Sequence, residues 1–170
     1  MGEIPLYEDV RSKFLLNSSK VITYIATAAL IWIIFFLVYM PVSIGVVIFG
    51  YFETAQIIGF IALFGILTLL YRTYHYYIIT CGALSMMITL VRAHDKTYAE
   101  FKNYSEMVRY SLYILSVIIA YIFLWPLINA AIGTLNGIVL TIVIFWILWM
   151  TVKILVRFDR IEKLKEELGT

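Results

Sequence analysis

Charged residues are scarce in this sequence, in which Asp, Glu, Lys and Arg together make up 14% of the chain. A soluble domain usually carries about 25% charged residues. Because 63% of the residues are hydrophobic, too few polar side chains remain to cover the surface of a water-soluble globule. The composition therefore excludes a soluble domain and predicts an integral membrane protein surrounded by a lipid bilayer.

Cysteine and histidine are also rare, with Cys81, His75 and His94 as the complete set. A single cysteine excludes an intrachain disulfide and a cysteine-based metal site, and neither histidine has a second ligand at helical spacing. The sequence has no phosphate-binding loop, no HExxH, no dinucleotide fingerprint and no serine-hydrolase motif. We therefore predict no catalytic residue, no metal site and no cofactor. The net charge of +2 is too small to indicate a nucleic-acid partner.

Long apolar runs dominate what is present. The stretch from Tyr110 to Val152 contains no formal charge. As one helix it would be roughly 64 Å long, about twice the hydrocarbon thickness of a bilayer, so it must fold back on itself. Proline breaks or kinks helices, and Pro41 and Pro126 each follow an apolar run. We predict apolar helical segments at about 21–40, 44–71, 74–92, 108–126 and 138–156.

These segments predict an all-α fold, a polytopic integral membrane helical bundle with four to five transmembrane helices. The membrane domain covers 21–157, between a polar N-terminal tail (1–20) and a charged helical tail (158–170). Basic residues concentrate in the two tails and in the 92–109 loop, while 41–53 and 126–137 have none. Basic loops favour the cytoplasm, which requires four crossings and a cytoplasmic N-terminus in the cell membrane, whereas hydropathy alone counts five.

Glu53 interrupts an apolar stretch beside Thr54 and Gln56. An intramembrane carboxylate is costly unless it is paired, protonated or hydrated. One interpretation is a proton or cation site at a broken helix. The other is that Glu53 marks the water interface of a hairpin turn that begins at Pro41.

A polar stripe runs along the third segment, with Ser85, Thr89, Arg92 and Lys96 recurring every three or four residues. Such a stripe can line a water-filled pore, with Arg92 and Lys96 at its mouth favouring anions. Alternatively, small hydroxylated residues let neighbouring helices approach closely, and the basic end meets lipid headgroups.

For function, the sequence favours a non-enzymatic integral membrane subunit. Nearly every residue belongs to a span, a turn or a flank, so we expect an oligomer, formed with copies of itself or with other membrane subunits. It would either form a small channel or transport pathway, or scaffold a larger membrane complex. The alternative is a membrane-embedded enzyme that acts on lipids through Glu53, His75 or His94.

Overall fold

The computed structural model describes residues 4–43, 47–48, 52–92, 97–133 and 136–167. These residues form four long helices, α1 (Tyr7–Ile34), α3 (Thr54–Arg92), α4 (Tyr98–Ile132) and α5 (Asn136–Glu167), and one short helix, α2 (Met40–Ser43). A π-helix (Phe35–Tyr39) joins α1 to α2. Before α3 lie two short antiparallel strands, β1 (Val47–Ile48) and β2 (Phe52–Glu53). The predicted all-α bundle is confirmed.

Four helices are long and apolar enough to span a membrane, covering Tyr7–Tyr39, Gln56–Val91, Tyr98–Ala131 and Asn136–Leu164. The chain is therefore a multi-pass membrane protein. The predicted segments 44–71 and 74–92 do not form two spans, because α3 begins only at Thr54 and continues from there through the rest of both segments without a break. The residues from Tyr71 to Tyr77 include no proline or glycine, so nothing in this stretch ends a helix.

Pro126 does not end its helix where the sequence predicts, and at Pro41, where the sequence allows either the end of a helix or a bend in a longer one, the helical path continues. Pro126 lies inside α4, which continues to Ile132, and Pro41 lies inside α2. Before Pro41 the helix widens, and the Met40 N–H donates to the Phe35 carbonyl in a π-type bond. A proline removes one backbone donor, but neighbouring helices and local π adjustments allow membrane helices to tolerate this loss.

Helix α3 is the centre of the bundle, because it packs against α1 on one side and α4 on the other, while α5 packs chiefly on α4. At the end near the strands, one apolar core joins α1, α3 and α4. Its buried side chains are Ala28, Phe35, Ala62, Leu63, Ile66, Leu124, Leu127, Ile128 and Ala131. Helix α5 adds only a partly buried Val139 to this core.

Candidate functional site

Aromatic and basic side chains join the four helices at one level of the bundle. The Nζ atom of Lys20 on α1 lies 4.6 Å from the ring centroid of Tyr76 on α3, and the Tyr24 ring stacks on the same tyrosine. On the other side of α3, the rings of Tyr77 and Tyr113 are 5.8 Å apart. These contacts place Lys20 of α1, Tyr76 of α3 and Tyr113 of α4 at a similar height.

Helix α5 joins the same level through Lys153. Its Nζ atom lies 5.6 Å from the ring centroids of both Tyr110 on α4 and Trp149 on α5. A cation over an aromatic face is attracted by the negative face of the ring. We call this set the aromatic–basic belt: Lys20, Tyr24, Tyr76, Tyr77, Tyr110, Tyr113, Trp149 and Lys153.

Between the belt and the end that holds Arg92 and Thr97, the contact of α3 with α4 contains a buried polar cluster. The Oγ atoms of Ser85 and Ser105 are 3.3 Å apart in a hydrogen bond between the two helices. Ser85 also donates to the Gly82 carbonyl, and the Thr89 hydroxyl donates to the Ser85 carbonyl at 2.8 Å. All three of these hydroxylated side chains are buried. We call Ser85, Thr89 and Ser105 the polar seam.

An ion pair joins α4 to α5 on the same side of the belt. The Arg157 Nη2 atom lies 2.6 Å from the Glu106 Oε2 atom, with both side chains partly buried. The pair therefore links α5 to α4 through opposite charges.

The structure brings together only two of the predicted site residues, Ser85 and Thr89. Glu53 is the last residue of β2, directly before α3, and Arg92 is the last residue of α3. The two ends of this helix are roughly 57 Å apart, so Glu53 and Arg92 do not share a site. Lys96 and His94 lie outside the described residues, and His75 is exposed on α3. The described residues contain no group of three or more His, Cys, Asp or Glu that could hold a metal ion.

The sequence analysis did not identify Ser105, the partner of Ser85, or Glu106, the partner of Arg157, as residues of a helix. Ser105 and Glu106 belong to a loop in the predicted segmentation, but α4 begins at Tyr98. The signal was present, since Thr97 and Glu100 form a capping box. The Glu100 carboxylate accepts hydrogen bonds from both the backbone N–H and the hydroxyl of Thr97. A Thr-x-x-Glu pattern before a helix marks its N-terminus.

The arrangement thus combines an apolar core, an aromatic–basic belt and a polar end that contains buried hydroxyls and an ion pair. Features of this kind hold helices together and position them in a membrane, and their residue types do not identify a reaction. Comparison with known proteins gives no match to a protein family, to a curated protein or to a solved structure.

Proposed function

We propose that the chain is a non-enzymatic subunit of a homo-oligomeric membrane assembly, in which it acts as a scaffold. The observation that carries this proposal is the uncovered face of α5. No residue in the most apolar part of this helix is buried by the rest of the described chain. The other three membrane helices each bury part of their corresponding segments.

The exposed residues of α5 have the spacing of a helix-pairing seam. Ile142, Phe145 and Trp149 are 63%, 68% and 62% exposed. They belong to a wider exposed apolar face, within which residues 138, 142, 145, 149, 152 and 156 follow alternating steps of four and three. Such a repeat is typical of helices that pack with a left-handed crossing. Since α5 lies at the edge of the bundle, the partner that fits this seam is α5 of a second copy.

The apolar core favours the scaffold proposal and argues against a pore inside a single copy of the chain. Among the described residues, the cluster around Phe35, Ile66 and Leu127 is entirely apolar, which gives an ion no ligands to replace its water. A transport pathway, if the assembly has one, would therefore have to run between copies.

Cysteine cross-linking tests the proposed α5 contact. Phe145→Cys, in a Cys81→Ser background, should form a disulfide-linked dimer in native membranes under a membrane-permeant copper–phenanthroline oxidant. The reason is that equivalent positions on a two-fold seam face each other within disulfide distance. The fraction of dimer on a non-reducing gel is the measurement.

Leu30→Cys on α1 provides the control, since Leu30 is 59% exposed on the opposite edge helix. It should remain monomeric under the same oxidant. Equal cross-linking at both positions would indicate random collision. That result, or a strict monomer for the unmodified chain in several mild detergents, would defeat the oligomer proposal.

We also propose that the aromatic–basic belt lies at one membrane surface. Counted from the belt to the far ends of the helices, Tyr76 to Thr54 on α3 and Tyr110 to Ile132 on α4 each span about 33 Å, close to the hydrocarbon thickness of a bilayer. Tyrosine, tryptophan and lysine are enriched at this depth. Beyond the belt, the helices then continue out of the membrane as a bundle that contains the polar seam.

The orientation follows from charge. Four crossings put both described ends of the chain and the α3–α4 connection on the belt side, where Arg11, Lys13, Lys102, Arg157 and Arg160 lie. No basic residue occurs in 41–53 or 126–137 at the other side. The positive-inside rule therefore supports a cytoplasmic N-terminus.

Thiol labelling tests this placement and the pore interpretation together. Met86→Cys should react with an impermeant maleimide in inside-out vesicles but not in intact cells, because Met86 is exposed on the proposed cytoplasmic bundle. Ser85→Cys should stay protected in both, since Ser85 is 1% exposed within the seam. The unsubstituted chain, whose Cys81 is buried, measures background. Labelling of Met86→Cys in intact cells would reverse the orientation, and rapid labelling of Ser85→Cys would restore the pore interpretation.

A further inference from the structure

A basic groove lies between the start of α4 and the end of α5, on the polar side of the belt. Its volume is about 360 Å³, and its walls include Lys102 and Asn103 from α4 and Arg157, Arg160 and Lys163 from α5. Four cationic side chains therefore converge on one open cleft. Like charges repel, so a cleft of this kind is stabilised when an anion enters it.

Two of the four cations already have partners. Arg157 pairs with Glu106, and Lys163 pairs with Asp159 at 2.8 Å. Lys102 and Arg160 are exposed, and neither forms an ion pair with any described residue. The groove thus keeps two positive charges that its own carboxylates do not neutralise.

Asn103 adds a neutral hydrogen-bond donor to the same groove. The residue as a whole is 9% exposed, its side chain lines the groove, and this amide forms no hydrogen bond with any described residue, so it is open to a ligand. A bound oxyanion would accept a hydrogen bond from this amide.

We propose that this groove binds a phosphate group, with Lys102 and Arg160 supplying the charge and Asn103 a neutral donor. Arg presents several N–H donors in a planar fork that matches phosphate oxygens, and Lys adds a point charge. Basic pockets between membrane helices on the cytoplasmic side are suited to anionic headgroups. Arg157 and Arg160 lie about 6 Å and 10 Å beyond Lys153 along α5. With the belt at the membrane surface, as proposed above, this distance places them in the layer of the lipid headgroups. The phosphate can therefore come from an anionic lipid or from a soluble phosphorylated compound.

The test compares three forms of the full chain: the unsubstituted protein, Lys102→Gln/Arg160→Gln, and the control Arg11→Gln/Lys13→Gln. The control removes the same charge from exposed positions on α1. Each is purified in mild detergent with equal amounts of phosphatidic acid and phosphatidylcholine, and native mass spectrometry counts the lipids retained. In a parallel arm without added lipid, the unfolding temperature is measured with inorganic phosphate and with chloride at equal ionic strength.

We expect the unsubstituted protein and the control to retain phosphatidic acid over phosphatidylcholine by about tenfold, equivalent to ~1.4 kcal/mol, and the groove variant to lose this preference. If inorganic phosphate also raises the unfolding temperature of the unsubstituted protein but not of the groove variant, the site accepts soluble phosphates. If only the lipid preference depends on the groove, the ligand is a headgroup. The proposal is overturned if the unsubstituted protein responds to neither ligand, if the groove variant keeps the response, or if the α1 control loses it equally.

Discussion

Leu127→Ala should lower the free energy of unfolding by about 2 kcal/mol, the low end of the range for such substitutions in soluble cores, because the water-transfer part of that cost is absent in a bilayer. Leu127 is 0% exposed and lies at the centre of the apolar core shared by α1, α3 and α4. The hydrophobic effect does not drive helices together inside a bilayer. The loss of stability therefore comes from the van der Waals contacts of the Leu127 side chain, which the remaining cavity cannot replace. Reversible unfolding by SDS in mixed micelles, followed by circular dichroism, measures it.

Leu115→Ala is the matched control on the same helix. Leu115 is 55% exposed, so truncation removes few packing contacts. The free energy of unfolding should therefore change by no more than about 0.5 kcal/mol. If both variants lose the same stability, the cost arises from the helix itself and not from the core, and the assignment of Leu127 to the centre of the bundle would be wrong.

Gly59→Leu should cost about 1–3 kcal/mol through overpacking. At Gly59, α3 lies close to the backbone of α4. A Cβ atom placed there would lie 3.4 Å from the Ala131 nitrogen and 3.6 Å from the Ala130 carbonyl carbon. A single methyl group fits at these distances, but the branched end of leucine would have to push the helices apart. Small residues at such contacts let membrane helices approach closely.

Gly65→Leu tests the same substitution on the same helix where nothing lies within 4 Å of an added Cβ. Its stability should stay equal or rise by up to about 1 kcal/mol, because leucine favours a helix more than glycine does. The difference between the two variants in the SDS unfolding experiment is the quantity of interest. If Gly65→Leu proves as destabilising as Gly59→Leu, the close approach at Ala131 is not the cause.

The polar seam illustrates why part of the candidate site could be read from the sequence and part could not. The period of Ser85 and Thr89 indicates that they share one helix face, and this face does meet a neighbouring helix. The hydrogen bond that Ser85 forms with Ser105 depends on how far α3 and α4 slide along each other. No local pattern encodes that offset, because packing of the intervening apolar residues determines it. The pore interpretation of this stripe stays a prediction that thiol labelling decides.

The basic groove could be predicted from the sequence even less than the polar seam. Lys102 and Arg160 are far apart along the chain, and each by itself is an ordinary basic residue near a membrane segment. Only the packing of α5 on α4, with Glu106 and Arg157 in contact, brings them to one cleft beside Asn103.

By itself, the sequence determined that this protein folds in a lipid bilayer and not in water. Scarce charge and apolar runs longer than a bilayer is thick require helices in lipid, because only helices satisfy every backbone donor and acceptor within one segment. It also determined where most helices lie, since that information is local. The tertiary structure decided that α3 is one continuous helix, so that four helices and not five form the bundle, and it decided which polar residues meet. Residues 71–77 contain no helix breaker and so permit a continuous helix, but its continuation through polar residues such as Arg72 and His75, like the partners of a buried serine, also depends on the free energy of packing between distant segments.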